Sequence, residues 1–172
     1  TWNDSTGGDI WRAPSNGGNP ERLTPTSAFF DKIAYTLDGS RILAVRGSKM
    51  HRMRTLEDFG SHSPAAELEY VWLPATGGEP QQISWVGSGT TQQGRNAPHP
   101  GPDPERIYVW AGSEGLLSMR FDGTDVRTVV KVTAPARGGP GSAPSPDEVV
   151  LSPDGRRAMV RSNRNVYLIT VP

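Results

Sequence analysis

The sequence predicts an all-β chain built as a partial β-propeller, about three to three and a half four-stranded antiparallel blades belonging to a larger closed ring. Two recurring phrases and their spacing carry this expectation. The first phrase is an apolar strand ending in Trp, a polar stretch closed by Gly-Gly, and a second strand ending in Leu-Thr or Ile-Ser. It runs from Asp9-Ile10-Trp11-Arg12 through Gly17-Gly18 to Leu23-Thr24, and again from Tyr70-Val71-Trp72-Leu73 through Gly77-Gly78 to Ile83-Ser84. The second phrase is an Asp-Gly turn leading into a strand. It reads Leu37-Asp38-Gly39-Ser40-Arg41-Ile42-Leu43 and Pro153-Asp154-Gly155-Arg156-Arg157-Ala158-Met159. Both turn types suit a residue without Cβ, because tight hairpins need positive φ. Aligned on the Trp position, copies of the first phrase sit at 11, 72, 118 and 167, giving steps of 61, 46 and 49 residues. Such steps fit four-stranded propeller blades stretched by loop insertions.

Taken in order, the chain supplies one hairpin after another. Residues 1–8 are a polar lead-in that lacks a starting Met, so the chain reads as a mature or excised piece. Asp9 to Arg12 and Pro20 to Thr24 form the first hairpin, and Pro25-Thr26-Ser27 exits to the next blade. Phe29-Phe30 are expected to pack between blades. Lys32 to Thr36 alternates polar and apolar residues as a half-buried strand does. The Asp38-Gly39 turn reverses it into Arg41 to Arg46, and Glu69 to Leu73 with Gln81 to Ser84 complete that blade. Gly47 to Glu67 is an insertion, in which Thr55 to Gly60 suits a turn or two of helix stopped by Gly60.

Trp85 to Pro104 is a second irregular stretch. It ends in a degraded second phrase, Pro102-Asp103-Pro104-Glu105-Arg106-Ile107-Tyr108, in which Pro and Glu stand where the turn Gly is expected. Ile107 to Trp110 reads as a strand with two aromatic residues on one face. Leu116 to Phe121 and Arg127 to Val132 pair around Asp122-Gly123. Ala134 to Ser145 is a Pro/Gly/Ser loop without apolar periodicity. Glu148 to Ser152 and Arg157 to Arg161 pair across Asp154-Gly155, and Asn165 to Val171 is a last strand with no following partner. The sequence repeats accordingly fall near 9–46, 69–110 and 115–161, with a further blade starting at 164–172, all within one segment spanning 1–172.

Bulk properties exclude several functions. Formal net charge is zero, with 18 basic and 18 acidic side chains in 172 residues, so nothing argues for a nucleic-acid or anionic-membrane partner. No run approaches the roughly 18 apolar residues that cross a bilayer. Cysteine is absent, which removes disulfides and thiolate metal sites without deciding the compartment.

The phrases resemble the repeats of TolB-type, WD40-like propellers, in which a Trp-ended strand, Gly-Gly and Leu-Thr are followed by Ser-Pro-Asp-Gly-x-x-Ile. Ser152-Pro153-Asp154-Gly155 matches the second half, and Gly17-Gly18, Gly77-Gly78 and Leu23-Thr24 match the first. Departures are Leu37 for Pro, Ser118 for Trp and Pro104 for Gly. Leu23 to Val45, Phe121 to Asp125 and Lys131 to Thr133 look most like propellers fused ahead of a metal-dependent amidohydrolase domain in bacterial exported proteins. That resemblance implies a periplasmic or secreted, non-catalytic segment that frames or gates a separate active site and helps assembly. A divalent metal would then belong to the fused domain and no cofactor to this chain. The alternatives are a TolB-like protein-binding scaffold of the cell envelope and the gating propeller of a prolyl-oligopeptidase-type peptidase.

No catalytic or metal constellation emerges from the residues themselves. His51, His62 and His99 are isolated, with no His-x-His pair. There is no Gly-x-Ser-x-Gly elbow, phosphate loop or dinucleotide fingerprint. Asp31, Asp38 and Asp154 stand where a carboxylate caps turn backbone. If the chain holds a ligand, the two insertions are the expected places, since rigid blades carry recognition on loops. Arg54, Arg95 and His99 are the candidate binding residues there, although each reads more readily as a solvated loop side chain. Because each blade needs a neighbour on each face, the expected partners are the remaining blades of the same ring. These come from the same polypeptide, a second fragment or a twin chain.

Overall fold

A computed structural model describes residues 2–3, 7–47, 68–84, 96–132, 146–162 and 165–172. The expected helical turn at 55–60 and the loop at 134–145 lie outside these residues. Fourteen strands follow in order among the described residues: β1 (Trp2–Asn3), β2 (Gly7–Gly8), β3 (Trp11–Arg12), β4 (Glu21–Arg22), β5 (Phe29–Tyr35), β6 (Arg41–Gly47), β7 (Leu68–Pro74), β8 (Gln81–Gln82), β9 (Arg106–Trp110), β10 (Leu116–Arg120), β11 (Arg127–Val130), β12 (Glu148–Leu151), β13 (Arg157–Ser162) and β14 (Asn165–Thr170). All pairing is antiparallel.

Among the described residues the strands form five sheets, which group into four blades. Blade 1 joins β1 to β2 and, two residues further along the same chain stretch, β3 to β4. Blade 2 is complete, in the order β5-β6-β7-β8. Blade 3 runs β9-β10-β11, and its first strand is reduced to a bridge between His99 and Tyr108. Blade 4 runs β12-β13-β14. The sheets thus begin half a repeat out of phase with the sequence repeats: the Asp38-Gly39 and Asp154-Gly155 hairpins open blades 2 and 4, whereas the Gly17-Gly18, Gly77-Gly78 and Asp122-Gly123 hairpins close blades 1, 2 and 3.

Alternation of side chains turns each blade into a two-faced sheet. On blade 2, Ile42, Ala44, Val71 and Leu73 meet Ile10 and Leu23 of blade 1. On its other face Leu43, Val45, Tyr70 and Ile83 meet Ile107, Val109, Leu117, Met119 and Phe121 of blade 3. Tyr108, Trp110 and Leu116 then meet Val149, Leu151, Ala158 and Val160 of blade 4. The two aromatic residues expected on one face of the Ile107 strand are both in this last layer. Phe30 packs against the blade 1–2 layer, as expected for an interblade residue.

The turns behave as their residues require. Gly39, Gly123 and Gly155 have φ of 69°, 82° and 73°, in the left-handed region. Asp38 and Asp154 each accept the backbone N–H two residues on, and each also accepts a hydroxyl, from Thr36 and Ser152 respectively. Hydroxyls of Ser40 and Thr36 hold the Asp38 carboxyl down to about 2. Asp103 repeats the device by accepting Glu105 N–H at 2.9 Å, so Pro104 is tolerated in place of the turn Gly. Gly39→Val is expected to cost about 1–2 kcal/mol from backbone strain alone, since nothing lies within 4 Å of its added Cβ. Gly155→Val costs more, because that Cβ meets Pro102 Cγ at 2.9 Å. Denaturant unfolding reads both, and wild-type stability in either contradicts the assignment.

Two expectations change. The strand expected over Lys32 to Thr36 starts at Phe29 and carries a bulge between Asp31 and Ala34, where Lys32 has φ of 52°. Asp31 accordingly accepts Lys32 N–H within the bulge rather than capping a turn. The half-buried alternation also fails there: Ile33 and Tyr35 are 50% and 48% exposed, and Leu37 in the turn 54%. Tyr35 lies opposite Ile42, on the face turned to blade 1. Among the described residues, blade 1 has no strand inside β1 to cover it.

Candidate functional site

Antiparallel pairing decides which loops share an end of the stack. Arg41 pairs with Pro74 and Trp72 with Gln81, so the start of β6, the end of β7 and the start of β8 lie together at the turn end of blade 2. Gly47 and Leu68, which flank the first insertion, pair at the opposite end. A groove of about 660 Å³ opens at the turn end, between blades 2 and 3. Blade 2 contributes Arg41, Trp72, Gln81 and Gln82, and blade 3 contributes its turns at Asp103–Arg106 and Arg120–Arg127.

The floor is aromatic and the walls are charged. Trp72 meets Phe121 edge to face, with centroids 5.7 Å apart and planes at 73°. The Arg41 guanidinium lies over both rings, 4.5 Å from Phe121 and 5.4 Å from Trp72. Arg106 is 7% exposed and donates to Ser118 Oγ and O, to Asp125 Oδ2 at 2.7 Å and to the Asp125 carbonyl. Arg127 forks onto the same carboxylate through Nε and Nη2, at 3.0 and 2.7 Å. Hydrogen bonds from Arg106 and then Arg127 hold the Asp125 carboxyl below its usual range. Asp125 has φ of 51°, so this knot of charge also fixes an unusual backbone geometry.

Of the three residues expected to bind ligand, only His99 is among the described residues, and Arg54 and Arg95 fall outside them. His99 is buried in the seam between blades 3 and 4. Its Nε2 accepts Leu151 N–H at 3.0 Å, its Nδ1 faces Ala97 O at 3.3 Å, and its ring lies 6.1 Å from that of Tyr108. This pairing requires the neutral Nδ1–H tautomer. Arg41, which the sequence reading passed over, is marked only by register: Arg41, Arg106 and Arg157 are all the third residue after the turn Asp.

Burial lowers the His99 pKa from 6.5. A histidine kept neutral by the fold is protonated more readily in the unfolded chain. Its stability contribution is therefore full above about pH 6.5 and is lost as pH falls below that value. We expect thermal stability to drop between pH 7 and 5 and the drop to be shallower in His99→Gln. An unchanged profile in that variant contradicts the assignment.

Comparison with known proteins bears on the fold. The chain matches no protein-family profile, and no curated protein matches it by sequence. Among solved structures it resembles an oligogalacturonate lyase in complex with manganese, with a TM-score of 0.60 and 12% identity over 94% of this chain and 45% of that one. It also resembles TolB from Acinetobacter baumannii, with a TM-score of 0.53 and 12% identity over 95% of this chain and 35% of that one. The chain is a β-propeller segment. It spans less than half the length of either of these two structures, and likeness at this identity concerns the fold alone. Among the described residues of the segment, no three His, Cys, Asp or Glu side chains are grouped to hold a metal ion. No helix among them is long and apolar enough to cross a membrane.

Proposed function

We propose that this propeller segment is a non-catalytic framing element whose two open faces are covered by further blades of one ring. The supporting observation is the apolar surface left at both ends of the stack. On blade 4, Val166 and Leu168 are 63% and 66% exposed, and Met159, opposite Leu168, is exposed beside them. At the other end Ile33, Tyr35 and Leu37 stand half exposed where an inner strand of blade 1 would lie. A propeller leaves no such face open once its ring closes.

In this reading the missing blades are supplied by the same polypeptide, by a second fragment or by a twin chain. The resemblance at Leu23–Val45 and Phe121–Asp125 supports a place beside a metal-dependent amidohydrolase domain in an exported, periplasmic or secreted protein. There the ring frames or gates an active site that it does not itself carry. The full reading frame tests this: further blades and a His-x-His strand support it. Further blades with no enzyme domain favour a TolB-like scaffold instead. Mass in solution tests the ring, since a stable monomer of the 172-residue chain alone contradicts the need for covering blades.

A further inference from the structure

Repeat proteins carry their own controls, because one position can be compared between blades. Arg41 in blade 2 and Arg106 in blade 3 are equivalent, each next to an Ile that faces the preceding blade. In blade 3 the guanidinium is consumed internally by Ser118 and Asp125. In blade 2 the Ser118 position is Trp72, and Glu79, which stands at the Asp125 position, instead accepts a hydrogen bond from Thr26 Oγ1 at 3.1 Å.

Arg41 is therefore held without being satisfied. It lies on Phe121 and Trp72, and among the described residues its one ion-pair contact is Glu105 Oε1 at 3.7 Å, too far for a hydrogen bond. None of its guanidinium N–H groups donates a hydrogen bond within the described residues. A guanidinium seated on aromatic rings keeps its in-plane rim of donors, and that fork matches a carboxylate. The rings fix the side chain in advance, so little rotamer freedom is lost when a ligand binds.

The groove defines the ligand further. About 660 Å³ is the size of a small-molecule site. Its lining pairs four arginines with four carboxylates, so it carries no excess positive charge to hold a polyanion. Gln81 and Gln82 line the same groove and offer amides suited to hydroxyl groups. We propose that Arg41 anchors a site for a small hydroxylated monocarboxylate, in chemical class a sugar acid, in the groove between blades 2 and 3. This goes beyond the framing role, and either can fail without the other.

The test titrates the protein with D-glucuronate, D-glucose, inorganic phosphate and a tetraglutamate peptide, following Arg Nε–H signals by NMR and heat by calorimetry. Saturable glucuronate binding that shifts the Arg41 signal, with no response to glucose, is expected. Arg41→Gln is expected to weaken it about 10- to 100-fold, and Arg41→Lys to restore only part, since Lys lacks the fork. Thermal unfolding of both variants checks the fold; should Arg41→Gln not fold, Arg41→Lys and the Nε–H shift decide. No saturable glucuronate binding, or undiminished binding by a folded Arg41→Gln, overturns the proposal. Tighter binding of phosphate or of the peptide also overturns it, by pointing to a phosphate site or a protein-docking site.

Discussion

Gly123→Val is expected to destabilise the protein by about 2–5 kcal/mol, combining left-handed backbone strain with a steric collision. Gly123 closes the β10–β11 turn at φ of 82°, and a Cβ there overlaps the Ser84 carbonyl of blade 2. Neither obstacle yields easily, since the contact is with backbone rather than with a flexible side chain. Gly39→Val is the internal control: a similar φ, but open space around the added atom. The difference between the two variants in denaturant unfolding isolates the closeness of blades 2 and 3. Equal losses contradict that close approach.

Trp110→Ala is expected to cost about 3–5 kcal/mol, the range for emptying a large aromatic site in a core. Trp110 is 2% exposed at the centre of the layer between blades 3 and 4, and its indole N–H donates to Pro146 O at 3.0 Å. Trp110→Phe keeps most of the packing and loses that hydrogen bond, so a loss of about 1–2 kcal/mol is expected. Equilibrium unfolding of the pair separates packing from the polar latch. Near-wild-type stability of Trp110→Ala contradicts a packed seam between these blades.

How much was legible in the sequence follows the range of the interaction that decides each feature. The turns at Asp38-Gly39 and Asp154-Gly155 depend on a few adjacent residues, and they stand where those residues imply. The alternation in Ile107 to Trp110 likewise announces two faces. Blade boundaries were less legible, because a Trp–Gly-Gly phrase shares its sheet with the Asp-Gly phrase before it, as in β5-β6-β7-β8, and not with the one that follows it. The exposure of Tyr35 was hidden from the local pattern, which shows that a residue is apolar but not whether a strand lies opposite. His99 was singled out by residue type, yet its partner Leu151 is 52 residues away and makes it part of a seam. Arg41 was invisible for the same reason. Its freedom depends on Trp72 standing where blade 3 has Ser118, and on Phe121 arriving from the next blade.

The central claim is that successive sheets lie face against face. Methyl-resolved nuclear Overhauser spectroscopy tests it most directly. The account predicts contacts from the Ile107 and Leu117 methyls to those of Leu43 and Val45, and from Leu116 to Val149 and Leu151. Cross-strand backbone contacts joining β8 edge to edge with β9, with those methyl contacts missing, would contradict it.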